Sequence, residues 1–146
     1  MTEQYPCGTA FHEAGHAVVA HCLGHQVVEL HVSNDDESGR TTVSAPTTVI
    51  EKATFIFAGM AAQTIWKVPS KHLAGGGDLT NFLNLVAKEG LSDDERDALR
   101  LKAYERANII LHAHRAEVEA VAARLMEHGQ TDGPQFLEVM RSAEPK

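Results

Sequence analysis

The spacing of apolar and polar residues predicts a mainly helical chain with one small sheet. Apolar residues recur at helical intervals through most of the sequence, which is typical of amphipathic or buried helices. Residues 26–32 instead alternate apolar and polar side chains, and residues 40–45 are rich in threonine and valine. These two segments flank a polar stretch, so they predict a β-hairpin. The expected fold class is therefore mainly α, or α+β with a single small sheet.

Capping residues and glycines set the expected helix boundaries. Thr48 and Ser92 each stand three residues before a glutamate, which is the pattern of a capping box. No proline or glycine interrupts the sequence from Ser92 to Glu127, so one continuous helix is expected there. The predicted helices cover residues 6–24, 48–66, 78–90 and 92–127, with a last short helix from about residue 132.

Length and composition favour one domain spanning residues 1–146. The net charge of −7 argues against nucleic acid and anionic membrane surfaces as partners. Cys7 and Cys22 are too few for a disulfide framework, so we expect free thiols and a cytoplasmic location. No signal peptide is apparent, and the most apolar window, residues 53–66, is too short to span a bilayer. We expect that window to form a buried helix.

The chemistry-bearing motif is His-Glu-Ala-Gly-His at residues 12–16. On a helix, His12 and His16 are one turn apart on the same face, so both imidazoles can bind one zinc ion. Glu13 is placed to act as the general base of a zinc peptidase. The alternative is two surface histidines on an amphipathic helix. Small apolar flanks favour a buried helix instead, and Gly15 suggests that another backbone or a ligand approaches closely.

A catalytic zinc usually has a third protein ligand, and the sequence leaves its identity open. The extended motif with a third histidine fails, because Val19 and Cys22 occupy the positions of its glycine and final histidine. Glu51 and Glu89 are on later helices, but nothing nearby marks either of them. Asp78 follows three glycines, and the sequence by itself favours it as the N-cap of the helix that it opens over a role as zinc ligand.

Five segments resemble, in the same order, the peptidase domain of the FtsH-type ATP-dependent zinc proteases. They are residues 12–17, 57–63, 75–79, 88–92 and 131–136, so the resemblance extends over nearly the whole chain. It implies that Asp78 is the third ligand of one zinc ion per chain, with His12 and His16. There are departures: Gly77 stands where that family usually has asparagine, and the segment before residue 57 looks shortened.

The resemblance implies a zinc metalloendopeptidase that hydrolyses flexible or unfolded polypeptides with a zinc-activated water and Glu13 as base. No phosphate-binding loop of the G-x-x-x-x-G-K-[ST] type and no membrane anchor are present, so the ATP-dependent part of the activity is not expected from this sequence. Two further expectations are that the chain forms a homo-oligomer or that it works with a separate ATPase acting in trans. The rival hypothesis is a non-catalytic module with a peptidase fold that binds a peptide or another subunit.

Two features of substrate binding remain open at the sequence level. The candidates for a side chain that donates a hydrogen bond to the oxyanion of the reaction are His21, His25, His31 and His72. Each of them is also a plausible surface histidine. The strand at residues 40–45 is the expected exposed edge, to which an extended peptide can add as a further strand.

Overall fold

A computed structural model describes residues 5–36, 38–44, 46, 48–69 and 76–143. Within these residues the chain forms six helices and three strands, which confirms a mainly α fold with one small sheet. In chain order they are α1 (Cys7–Cys22), β1 (Val27–Val32), β2 (Gly39–Val43), α2 (Val49–Trp66), α3 (Gly76–Glu89), α4 (Asp93–Ala113), α5 (Arg115–His128), β3 (Gln130–Asp132) and α6 (Gly133–Ala143).

Helix α1 is the centre of the fold, and it is buried from residue 8 to residue 20. It packs against α2 on one side and α5 on another, and the sheet covers part of its remaining surface. The contact with α2 is very close: a methyl group added at Gly15 would lie 2.7 Å from the carbonyl oxygen of Ala58 and 2.6 Å from the Cβ of Ala62. The mid-helix glycine is therefore explained by the approach of a second backbone.

The sheet is antiparallel and has the strand order β2-β1-β3. The predicted hairpin is β1 and β2, in which Leu30 pairs with Thr41. The predicted second strand is longer than the one observed, and its last residue, Ala45, lies outside the described residues. Strand β3 was not predicted, because three residues are too short to show an alternating pattern. It pairs Thr131 with Leu30 on the other side of β1.

The prediction of one helix from Ser92 to Glu127 is wrong, because the chain breaks at His114 between α4 and α5. His114 leaves helical geometry with φ −122° and ψ 37°, although its carbonyl still accepts from the amide of Val118. Its imidazole Nδ1 contacts the carboxylate of Glu117, which is buried. The break lets α4 pack against α2 while α5 packs against α1, a tertiary requirement that no breaker residue announces.

The remaining helix signals are largely confirmed. Ser92 and Glu95 form the expected capping box at the start of α4, and the Thr48 hydroxyl caps α2 by accepting from the amide of Glu51. The apolar window at residues 53–66 lies in α2, and half of the residues in this window are buried. Among the residues that the structure describes, no helix combines the length and apolar character needed to cross a bilayer.

Replacing Gly15 by alanine tests the contact between α1 and α2. In an unconstrained helix this change stabilises the fold by roughly 1 kcal/mol. Here the new methyl group meets the backbone of α2, so we expect a net loss of about 1–3 kcal/mol in the free energy of unfolding. Urea denaturation of the metal-free protein measures the change. Gly77→Ala is the matched control, because a methyl group at that helical glycine meets no atom within 4 Å. Equal stability changes in the two variants would contradict the packing described here.

Candidate metal centre

Three side chains from two helices converge on one point. His12 and His16 come from α1 and Asp78 comes from α3, and their nearest ligand atoms lie within 4.8 Å of one another. His12 Nε2 is 2.8 Å from Asp78 Oδ2, His16 Nε2 is 3.1 Å from the same oxygen, and the two Nε2 atoms are 3.1 Å apart. Both imidazoles are almost fully buried, so the surface-histidine alternative does not describe this helix.

The position of His12 depends on a second glycine, on α2. A methyl group at Gly59 would lie 2.5 Å from His12 Nε2 and equally close to the neighbouring ring carbons. The imidazole therefore rests directly on the backbone of α2, a position that any side chain would block. The same interhelical approach that requires Gly15 thus places the first ring of the motif.

Hydrogen bonds at Nδ1 fix the orientation of both imidazoles. His12 Nδ1 is 2.6 Å from the side-chain oxygen of Gln63, whose amide nitrogen donates to the carbonyl oxygen of Val68. His16 Nδ1 is 2.7 Å from the carbonyl oxygen of Phe55. Both partners can only accept, so both Nδ1 atoms carry the hydrogen. In the neutral rings each Nε2 then presents a lone pair toward the other ring and Asp78. Partners of this kind are typical of histidines that bind metal ions.

Asp78 lies in the first turn of α3, which begins at Gly76 and not at Asp78 as predicted. The N-cap alternative therefore does not describe this residue, and its carboxylate points to the histidines instead. Burial alone would raise the pKa of Asp78, but the hydrogen bonds and charges of His12 and His16 outweigh it and hold that pKa well below its usual range. A carboxylate in the first turn is also favoured by the helix dipole.

The three converging atoms require a positive charge between them. Two imidazole lone pairs and a carboxylate oxygen repel one another unless a proton or a cation is shared among them. Burial lowers the pKa of His16, but its hydrogen bond with Asp78 and the charges of Asp78 and Glu13 outweigh burial and raise that pKa, which favours a proton at this position in the metal-free protein. A divalent cation would satisfy all three acceptors at once.

The size of the cluster fits zinc. Zinc binds imidazole nitrogen and carboxylate oxygen at about 2.0–2.2 Å, so two ligands of a tetrahedral site are roughly 3.3 Å apart. The observed separations of 2.8, 3.1 and 3.1 Å fall a few tenths of an ångström short of that value. A small outward movement of the three side chains would accommodate the ion and leave the fourth position open to the cleft.

Glu13 lies beside this cluster and is held by β2. The Thr41 hydroxyl, 2.6 Å from Glu13 Oε1, is positioned to donate to it, and it also lies 3.1 Å from the Glu13 carbonyl oxygen. A methyl group at Gly39 would lie 2.6 Å from Glu13 Oε2, so the strand can pass this close only with glycine at that position. The carboxylate is almost fully buried in the fold yet borders the same cleft as the three candidate ligands.

The cleft has a volume of about 440 Å³ and lies between α1, α3 and the edge strand β2. Gly39, Arg40 and Thr41 line one side of it, and Gly77, Asp78 and Asn81 line another. The strand that borders the candidate metal centre is therefore the edge that was predicted to receive a peptide.

The other candidates from the sequence lie elsewhere. Glu51 approaches His25, with 3.6 Å between its carboxylate and the imidazole, and His21 stacks edge-on against Phe136. Glu89 ends α3, and His31 is exposed on β1. His72 lies outside the described residues.

Two residues of the site were not singled out for a role by sequence reasoning: Gln63, which orients His12, and Thr41, which contacts Glu13. Gln63 follows Gly59 by one helical turn, and this spacing is the one local signal that it faces α1. Thr41 belongs to a strand whose pairing places it over the motif helix, so only the tertiary structure identifies it.

Gln63→Leu tests the orientation of His12. The leucine fills similar space but removes the acceptor at Nδ1, so zinc affinity should fall by about 10–100-fold. Gln63→Glu is the matched control, because its carboxylate still accepts from Nδ1, and its affinity should stay above that of the leucine variant. Competition with a chelator measures both. Equal affinities in the leucine variant and the unmodified protein would show that this hydrogen bond is not needed.

Asp78→Asn tests the third ligand through pH. Because the pKa of His16 is raised, the metal-free fold holds that proton to a higher pH than the unfolded chain does. Zinc must displace the proton, so apparent affinity should rise with pH and level off above the folded pKa of His16. Removing the carboxylate should weaken zinc binding by at least about 10-fold and move the plateau to lower pH. Chelator competition from pH 5 to 9 measures both effects. An unchanged affinity and pH profile would exclude Asp78 as a ligand.

A family profile matches the part of the chain that carries the histidine motif. Residues 7–77 match the profile of the Peptidase M50B-like family, a segment that contains α1, the hairpin and α2 and ends one residue before Asp78. No curated protein matches the chain. The family match supports a metallopeptidase-family domain, in which His12, His16 and Asp78 can bind a metal ion.

Proposed function

We propose that this protein is a zinc-dependent metalloendopeptidase that cleaves flexible or unfolded polypeptides. The observation that carries the proposal is the convergence of two imidazole nitrogens and one carboxylate oxygen beside the buried carboxylate of Glu13, in one open cleft. A purely structural metal site is usually closed by four protein ligands, whereas a catalytic site keeps one position for water.

His12, His16 and Asp78 would hold the zinc, which when bound would lower the pKa of a water molecule and polarise the peptide carbonyl. Glu13 is proposed to take the proton from that water and return it to the leaving amine. The Thr41 hydroxyl donates a hydrogen bond to Oε1 of Glu13, so Oε2 is the oxygen assigned to proton transfer. Glycine at position 39 keeps the space next to Oε2 free of a side chain.

Substrate is proposed to bind as an extended strand along β2. This strand is one of the two edge strands of the sheet and lines the cleft through Gly39, Arg40 and Thr41, so its outer backbone groups can pair with a peptide. Backbone hydrogen bonds would hold the scissile carbonyl at a fixed position in the cleft and depend little on the side chains of the substrate. Only a flexible or unfolded segment can adopt the extended form that such pairing requires.

The finer assignment to the FtsH type rests on the order of the five similar segments, whereas the family match carries the M50B-like name. We further propose that the protein acts in the cytoplasm, either alone or with a separate ATPase. The rival hypothesis, a non-catalytic binding module, does not account for Glu13. A binding role needs neither a buried carboxylate at the metal cleft nor a threonine hydroxyl that orients it.

Glu13→Gln tests the proposal directly. Glutamine has nearly the same shape and can keep a hydrogen bond with Thr41, but it cannot take up the proton. Hydrolysis of an unfolded protein such as casein should therefore fall by at least about 10²-fold, while zinc content stays near one per chain. Peptide release and metal analysis of the same sample measure the two quantities.

His12→Ala serves as the control that loses both zinc and activity. If Glu13→Gln retained activity within a few-fold of the unmodified protein, Glu13 would not be the base. If the unmodified, zinc-loaded protein failed to cleave any unfolded substrate, the binding module would be the better account.

A further inference from the structure

A second pocket opens directly beside the candidate metal centre. It has a volume of about 350 Å³ and shares two lining residues, Phe55 and Asn81, with the metal cleft. Phe55 is tied to the centre itself, because its carbonyl accepts from His16 and its ring lies 4.9 Å from the imidazole. Asn81 follows Asp78 by three residues on α3, so it faces the same side of that helix.

The lining of this pocket is mostly apolar, and it also includes two lysines and two asparagines, Asn81 and Asn84. Phe55, Ile56 and Leu85 supply aromatic and aliphatic surface, while Lys52 from α2 and Lys88 from α3 supply the two charges. Neither ammonium group has an ion pair or hydrogen bond with any residue that the structure describes.

The two lysines place positive charge beside one pocket in a chain whose net charge is −7. The acidic neighbour of Lys52 on α2, Glu51, is already engaged, since its carboxylate lies near the Thr48 hydroxyl and His25. A solvated helix face would account for lysines on either helix alone. It does not account for lysines from both α2 and α3 lining the same apolar pocket next to the metal cleft.

We infer that this pocket, defined by Phe55, Ile56, Leu85, Lys52 and Lys88, is a specificity subsite for a glutamate side chain of the substrate. The two methylene groups of glutamate can pack against the apolar lining residues, and its carboxylate can form ion pairs with the ammonium groups of Lys52 and Lys88. Because the pocket adjoins the metal ligands, the residue that enters it is next to the scissile bond. This inference rests on the proposed peptidase function and assigns its preferred substrates.

Binding of short peptides separates this inference from catalysis. The probes are three fluorescent, otherwise uncharged extended peptides that differ at one central residue, which is Glu, Gln or Leu. Anisotropy titrations use the zinc-loaded Glu13→Gln protein, in which the peptides stay intact. The Glu peptide should bind at least about fivefold more tightly than the Gln and Leu peptides, and added salt should reduce this preference.

Substitution of the two lysines tests their role in the preference. The double variant Lys52→Gln/Lys88→Gln should lose the preference for Glu over Gln, whereas Lys102→Gln, which removes an exposed lysine of α4 outside both pockets, should retain it. The double charge swap Lys52→Glu/Lys88→Glu should transfer the preference to a peptide with a central Lys. A gain for that peptide cannot result from misfolding.

Several results would overturn the inference: equal binding of the Glu and Gln peptides, tightest binding of the Leu peptide, no binding at all, or a Glu preference that survives the double substitution. Failure of the subsite and failure of the proposed function are distinguishable. Hydrolysis by the unmodified protein without a Glu preference would refute the subsite and leave the peptidase assignment in place. A Glu preference in binding without any hydrolysis would do the reverse.

Discussion

The close packing of α1 against α2 is the constraint on which the rest of this structure depends. Gly15 lets the two backbones approach, and Gly59 provides the surface on which the His12 ring rests. At this distance α2 also supplies the acceptors for both imidazoles, from Phe55 and Gln63. One interhelical contact therefore buries the motif, orients its histidines and satisfies their Nδ1 groups, which a looser packing would leave unpaired.

In the candidate metal centre, three hydrogen-bond acceptors face one another without a donor between them. Once each Nδ1–H is committed to a carbonyl oxygen, His12, His16 and Asp78 can only present lone pairs and negative charge to one another. Such repulsion destabilises the folded protein unless a cation relieves it, and the raised pKa of His16 reflects the same demand for positive charge. The same arrangement makes the affinity for a divalent ion sensitive to pH.

Local patterns predicted the helices, the hairpin and the buried motif, because spacing, capping residues and Gly15 act over a few residues. Tertiary contacts decided the rest. The break at His114 serves the different partners of α4 and α5, and strand β3 forms only because β1 offers an unpaired edge to Thr131. The sequence also allowed Asp78 to be an N-cap, and only the observed start of α3 at Gly76 excludes that role. The threonine over Glu13 depends on strand register, which no local pattern encodes.

The most direct measurement of the central claim is X-ray absorption spectroscopy of the zinc-loaded protein at neutral pH. The structure predicts one zinc per chain with only nitrogen and oxygen neighbours at about 2.0–2.1 Å, and an imidazole scattering pattern that fits two histidines. Asp78→Asn should alter the nitrogen and oxygen shell while the two-imidazole signal remains. A sulfur neighbour near 2.3 Å, or a count of imidazoles other than two, would contradict the centre formed by His12, His16 and Asp78.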